Sequence, residues 1–214
     1  MVTEYLIEQL QYTGAESYSN TSVKSKLSLN HPCKELIWVM QPDSNVAANV
    51  NRWSDFTDGT TPYAGDDILS SGKLQLNGHD RFDERDATYF NVVQPYQHHT
   101  RCPATGIYVY SFSLNPEQHQ PSGTVNMSRI DNATLLLTLN TSTSLQLRTY
   151  ATNYNVLRIM AGIRQLSLVP KSEYIYSLVK KTLYYFLCNI FKLREIPYSL
   201  NNYSCLEMNK EDHG

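Results

Sequence analysis

An all-β sandwich is the fold this sequence predicts, and three observations predict it. Up to about Gly162, short segments alternate apolar and polar side chains, and clusters of Gly, Pro, Asn and Asp separate them. Tyr outnumbers Phe by sixteen to six, and Tyr suits a half-exposed pleated surface because its ring is apolar and its hydroxyl can stay wet. Hydrophobic residues make up 41% of the 214 residues and charged ones 18%, enough apolar side chain for one domain.

The elements follow in order. Residues 5–11 set Leu6, Glu8 and Leu10 against Tyr5, Ile7 and Gln9. Residues 23–29 put Val23, Ser25, Leu27 and Leu29 on one face and Lys24, Lys26 and Ser28 on the other. Residues 35–40 (ELIWVM) form a nearly continuous apolar run, as expected of a strand covered on both sides. A long loop spans residues 41–71, and its Asp, Asn, Gly and Pro supply turns without periodicity. Residues 73–76 form a short strand into Asn77-Gly78, a tight-turn signal. Residues 83–93 are the one helical stretch of this region, with Asp83 as cap and Glu84 and Asp86 suiting a helix N-terminus. Residues 107–114 separate Tyr108, Tyr110, Phe112 and Leu114 from Ile107, Val109, Ser111 and Ser113. Residues 133–139 set Leu135, Leu137 and Leu139 against Thr134, Leu136 and Thr138, and residues 145–152 and 155–160 close the series as two strands.

After Gly162 the character changes. Residues 172–191 are apolar, Tyr-rich and moderately basic; helix and strand are both open there, with helix favoured by length. Lys180 and Lys181 interrupt the run near its middle, so it does not read as a membrane span. The polar residues 201–214 read as a frayed end. The chain therefore divides into residues 1–162, a sandwich domain, and residues 163–214, a tail.

Charge and motif content exclude several functions. A net charge of −2 supplies no basic face for phosphates, so no direct nucleic-acid partner is expected. Cys33, Cys102, Cys188 and Cys205 lack metal-ligand spacing and read as reduced, mostly buried thiols of a cytosolic product. The opening Met1-Val2-Thr3-Glu4 lacks the basic and apolar regions of a secretory signal. The Asn-x-Ser/Thr triplets at Asn20, Asn126, Asn132, Asn140 and Asn202 are accordingly read as chance occurrences.

His98 and His99, adjacent on an expected strand, point to opposite faces and do not share one ion; His79 and His119 add no partner at ligand spacing. Asp80, Asp83, Glu84 and Asp86 are interleaved with Arg81 and Arg85, which reads as charge pairing around a helix start. Asp66-Asp67 lacks the spacing of a calcium loop. No nucleophile signature or phosphate-binding glycine loop occurs; Gly78 and Gly123 are lone turn glycines. Arg129 and Asp131, two apart on an extended segment, share a face and read as a strap fixing the turn into the strand at Ala133. The expectation is no catalytic residue, no cofactor-binding residue, no metal ligand and no enzymatic activity.

Several segments, taken together, carry a resemblance. They are Glu4-Tyr5-Leu6-Ile7-Glu8-Gln9, Leu29-Asn30-His31-Pro32 with Lys34-Glu35-Leu36-Ile37-Trp38, and Leu76-Asn77-Gly78-His79-Asp80-Arg81-Phe82. Tyr89-Phe90-Asn91, Gln94-Pro95-Tyr96 and Ile107-Tyr108-Val109-Tyr110-Ser111-Phe112 follow. Gln120-Pro121-Ser122-Gly123 with Ser128-Arg129-Ile130-Asp131, and Asn153-Tyr154-Asn155-Val156-Leu157-Arg158-Ile159-Met160, complete the set. In this order and spacing the chain resembles the major capsid proteins of nucleocytoplasmic large DNA viruses, from about Glu4 to Gly162.

The resemblance implies a jelly-roll β-sandwich, the second of two such rolls in one polypeptide and incomplete at its N-terminus. It implies a late structural protein of the virion, assembled in the host cytoplasm. Homotrimers would form pseudo-hexagonal capsomers that contact neighbouring capsomers and minor capsid proteins, with an internal membrane nearby but no insertion into it. The chain is thus expected to be a fragment of a longer capsid protein. The 163–214 tail, which departs from the family, reads as a read-through product or a lineage-specific extension. The long loop is expected at the capsomer surface, with Trp38, Trp53, Phe56 and Tyr63 as its packing anchors. Two other jelly-roll functions compete. A carbohydrate-binding module would present an aromatic platform on one exposed face, and a cupin-like enzyme would gather histidines and a carboxylate inside the barrel.

Overall fold

The structure, a computed structural model, describes residues 2–160; the expectations for residues 163–214, with Cys188 and Cys205, fall outside the described residues. Two antiparallel sheets face each other. The first runs β1 (Val2–Tyr18), β10 (Leu145–Met160), β3 (Pro32–Pro42), β7 (Ile107–Ser111), with β8 (Val125–Asn126) on one end of β3. The second runs β2 (Ser22–Leu27), β9 (Ala133–Leu139), β4 (Leu69–Leu76), β5 (His79–Asp80), with β6 (Arg85–Asp86) also on β4. The chain crosses between sheets from β1 to β2, β2 to β3, β3 to β4, β6 to β7, β8 to β9 and β9 to β10, which is the winding of a jelly roll.

Binary patterning places the core. In β2 the buried residues are Val23, Ser25 and Leu27; in β9 they are Ala133, Leu135, Leu137 and Leu139. Opposite them stand Leu36, Trp38 and Met40 of β3, Tyr108 and Tyr110 of β7, and Leu145, Leu147 and Ala151 of β10. Trp38 is fully buried, with Phe90 edge-on at 5.1 Å and Tyr108 stacked at 6.0 Å between ring centroids. Burying each such side chain contributes roughly 1.5–3 kcal/mol.

The apolar run of β3 is buried on both faces, as its sequence predicts. Leu36, Trp38 and Met40 face the sandwich core, and Cys33 joins them across a bulge in the pairing with β10. Ile37 and Val39 instead join Ile107, Val109 and Phe56 in a second cluster on the outer face of the first sheet. Phe56 belongs to the long connection, so that loop folds back over the sheet as a cover. Gly106, at φ +88°, lies under it, and a Cβ there would run into the Phe56 carbonyl.

Several elements differ from expectation: the strand expected at residues 5–11 runs from Val2 to Tyr18, the one expected at 107–114 ends at Ser111, and three others change as follows. Residues 145–152 and 155–160 form one strand, because β1 supplies hydrogen-bond partners along the whole of it. The helix begins later than residue 83: Arg85–Asp86 pair with Gly72 and Ser71 as β6, and Asp86 Oδ1, not Asp83, accepts the Tyr89 N–H at 3.1 Å. The helix then takes a π turn over Tyr89–Val93 and continues as α2, Gln94–His98. Pro95 explains the wide turn, since a proline inside a tight helix removes a donor and crowds the preceding carbonyl. The strand at residues 73–76 extends back to Leu69. Asn77 and Gly78, at φ 52° and 82°, make the expected tight turn between β4 and β5.

Candidate functional site

The histidines and carboxylates singled out by sequence do not converge. Among the described residues no group of three or more His, Cys, Asp or Glu could hold a metal ion, and no described histidine is among the fully buried polar residues. His98 ends α2, not a strand, and its Nδ1 lies 2.9 Å from the Leu114 carbonyl oxygen. His79 is exposed in β5. Asp80 pairs with Lys73 at 3.1 Å and accepts from Gln75 at 2.6 Å, and Glu84 contacts Ser71. The expected pairing with Arg81 and Arg85 gives way because β4 stands nearer than the chain's own next turn. Arg85 instead lies over the Tyr89 ring.

Arg129 and Asp131 do not form the expected strap. Residues Met127–Arg129 make a 3-10 turn, which breaks the shared face, and both side chains are exposed. Their neighbours fix the segment instead: Ser128 Oγ accepts the His31 N–H at 2.8 Å, and Asn132 exchanges two hydrogen bonds with Asn77. Asp66-Asp67 also serves the fold, since Asp67 Oδ1 accepts from Tyr108 OH at 2.9 Å and from Gly106 N–H at 3.3 Å. Of the two cysteines described, Cys33 is buried, with burial pushing its thiol up to about 12, and Cys102 is exposed, contrary to a mostly buried reading.

The long loop is an organised cover. After the short α1 (Asp43–Val46), buried Asn45 donates to the carbonyls of Asp55 and Thr57, each at 3.2 Å. Buried Asp55 accepts from Thr57 Oγ1 at 2.6 Å and Tyr63 N–H at 3.1 Å and pairs with Arg52 at 3.2 Å. Burial works to raise the Asp55 carboxyl, but these partners outweigh it and hold it below the usual range. Of the four expected anchors, Phe56 packs the loop and Trp38 belongs to the core. Trp53 and Tyr63 are 62% and 61% exposed and anchor nothing within the described chain. The exposed rings are divided among the loop, α2 (Tyr96) and β1 (Tyr5), so they form no single platform.

The two edges of the first sheet differ. At β7, side chains of the helix occupy the edge: Asn91 Nδ2 donates to the Ile107 carbonyl at 2.8 Å, and Gln94 Oε1 accepts the Ser111 N–H at 3.1 Å. At the other edge, no strand among the described residues pairs with the outer side of β1. Past the Cys33–Asn153 pair, β10 leaves β3 behind, and residues 2–8 and 154–160 continue as a two-stranded ribbon. Tyr5 and Ile159 are exposed on one face of it, Leu6 and Val156 on the other, beside the Glu4–Arg158 pair.

Buried Pro116, neutral hydrogen bonds at the neck and charged contacts together hold the excursion between β7 and β8. Ser122 closes its neck, accepting the Asn115 N–H at 2.9 Å and lying 2.6 Å from Ser113 Oγ. Fully buried Lys34 reaches Glu8 at 2.6 Å and the Gln118 carbonyl at 3.2 Å. His99, 7% exposed at its side chain, stands between Glu117 at 3.2 Å from Nδ1 and Glu35 at 3.0 Å from Nε2. Burial works against its charge, but the two carboxylates prevail and raise it above its ordinary value. Sequence reading weighed His99 only as a metal ligand and passed over Lys34, Glu35 and Glu117; the signal was the Lys34-Glu35 pair ahead of an apolar run.

Comparison with known proteins places this arrangement. The family described as "Large eukaryotic DNA virus major capsid protein" matches residues 1–164. The major capsid protein of Phaeocystis pouchetii virus is 42% identical over 75% of this chain and 47% of its own length. That of Pyramimonas orientalis virus is 48% identical over 75% of this chain and 41% of its own length. Among solved structures, PBCV-1 VP54 fitted into a reconstruction of the virophage Sputnik superimposes with a TM-score of 0.64 at 36% identity, covering 78% of this chain and 52% of that one. The chain spans about half the length of the curated relatives it matches.

Proposed function

The chain belongs to the major capsid protein family of large eukaryotic DNA viruses, and on that premise we propose that it is a structural subunit of a viral capsid, without enzymatic activity. The observation that carries this reading is the family match over residues 1–164, which takes in every strand of both sheets.

In this reading the sandwich is the second of two jelly rolls. Three copies form a pseudo-hexagonal capsomer, and capsomers tile an icosahedral shell together with minor capsid proteins. An internal membrane lies beneath and is not entered. The protein is made late and assembled in the host cytoplasm. The work required is mechanical: obligate interfaces bury about 2,000 Å² or more, and a stiff sandwich with apolar side chains left at its rim suits that demand. Tyr5, Leu6, Val156 and Ile159 on the ribbon and Trp53 and Tyr63 on the loop are such side chains. Residues 163–214 are read as lying outside the capsid domain, and sequencing the transcript across the codons for Gly162 and Ile163 tests this. A spliced message that omits the tail is expected; an unspliced message encoding it in virions overturns that part.

The assembly reading is tested by joining this chain behind the preceding half of the Phaeocystis pouchetii virus protein and measuring the mass of the soluble product. Trimers are expected. A folded product that stays monomeric at micromolar concentration contradicts the reading.

A further inference from the structure

The excursion between β7 and β8, residues 114–122, is closed at its neck by Ser122 and tied to the rest of the chain beyond it by the ionisable pairs His99–Glu117 and His119–Glu8 and by Lys34. We propose that it is a proton-dependent strap: the doubly protonated ring of His99 clamps Glu117 against Glu35 of β3, and loss of a ring proton as the pH rises releases the excursion. This goes beyond the capsid reading and stands without it.

The geometry is specific. Both ring nitrogens of His99 face carboxylates on different segments, Glu117 Oε1 and Glu35 Oε2. A neutral imidazole has one N–H and one bare nitrogen lone pair, so it turns that lone pair towards one of the two carboxylates. Only the imidazolium presents an N–H on both sides and is attracted by charge to both carboxylates. The clamp is also backed on each side. Thr100 donates its N–H to Glu117 Oε1 at 3.1 Å, and Thr152 Oγ1 of β10 donates to Glu35 Oε1 at 3.1 Å, fixing the carboxylates in place.

Other charged groups nearby lie on other contacts. Lys34, next to Glu35 at a bulge in β3, is matched by Glu8 of β1 and also donates to the Gln118 carbonyl of the excursion. His119, on the excursion itself, lies 3.7 Å from Glu8, but its side chain is 66% exposed, so water and salt screen that contact. His98 faces the Leu114 carbonyl, and Arg101 lies two residues beyond His99 on the same segment. Glu35 and Glu117 are the charges that act on the ring.

The direction follows from linkage. A histidine that binds its proton more tightly in the folded state stabilises that state fully below its unfolded value, near 6.5, and the contribution is lost as the pH rises through the folded value. Release therefore comes on the neutral-to-alkaline side. What it frees is a surface segment that begins with Leu114, 69% exposed and held to α2 through the His98 contact.

Amide hydrogen exchange of the full chain between pH 5.5 and 8.5, corrected for the intrinsic rate at each pH, tests the proposal. Protection at residues 112–122 is expected to fall several-fold as the pH rises across that range, in step with loss of the His99 proton. His99→Gln is expected to hold the high-pH level throughout. Glu117→Gln, at a position already half open to water, keeps the fold, loosens the excursion at every pH and lowers the His99 midpoint read by imidazole NMR. His119→Gln is expected to leave the transition in place. Protection that does not change with pH in the natural protein, or a transition that survives His99→Gln, overturns the strap.

Discussion

One sheet of this protein has two unlike edges. At β7 the helix lays Asn91 and Gln94 against the strand's free backbone groups, and the long loop covers the neighbouring face with Phe56. At β1 the described chain provides no such cover, and the strand runs on with β10 as a ribbon exposing apolar side chains on both faces. Edges invite pairing, and proteins usually blunt them; an isolated two-stranded ribbon is marginal in water. The difference teaches where the chain is self-sufficient and where it offers surface. The closed side is a finished structural unit, and the ribbon side has the composition of an interface.

The sharpest contrast is between rings. Trp38→Ala, under the closed side, is expected to lose about 3–5 kcal/mol, whereas Tyr5→Ala on the ribbon is expected to stay within about 0.5 kcal/mol; urea unfolding of the isolated chain measures both. Equal losses would erase the distinction. Next comes the cover of the edge itself. Asn91→Ala strips hydrogen bonds from the carbonyls of Ile107 and Ala104 and is expected to cost about 1–3 kcal/mol, with faster exchange at residues 107–111 as its local sign.

Acid probes the loop. Asp55 is held below its ordinary range, so its contribution is present above the unfolded value and disappears as the pH falls through the folded one. Loosening of the loop on acidification, followed by Trp53 fluorescence, is expected in the natural chain, and Asp55→Asn is expected to show a loosened loop at neutral pH already. The smallest effect belongs to the ribbon's ion pair. Arg158, whose Nε lies 2.6 Å from Glu4, is largely exposed, and Arg158→Ala is expected to change stability by less than about 1 kcal/mol.

Much of this was legible in the sequence. Alternation located β2 and β9 with their buried faces, the unbroken run of β3 announced cover on both sides, and Asn77-Gly78 announced its turn. What sequence did not show was the source of cover. Phe56 is one aromatic among polar turn residues, and its burial depends on Gly106, fifty positions on, letting the loop pass close over β7. The helix start was misplaced because Asp83 and Asp86 are equally good caps locally; pairing of Arg85–Asp86 with β4 decides between them. His99 looked idle because its carboxylates, Glu35 and Glu117, come from segments that only the fold brings together. The Arg129–Asp131 strap failed for the same reason in reverse, since the local 3-10 turn separates the two side chains.

The contrast between the edges is tested most directly by amide exchange of the full chain at one pH, read peptide by peptide. Residues 2–8 and 154–160 are expected to exchange on the order of 100-fold or more faster than residues 107–111 and 36–40, because local opening of a ribbon breaks few buried contacts. Equal protection of the ribbon and the closed edge would contradict the account, for it would mean that the β1 side is already as finished as the β7 side.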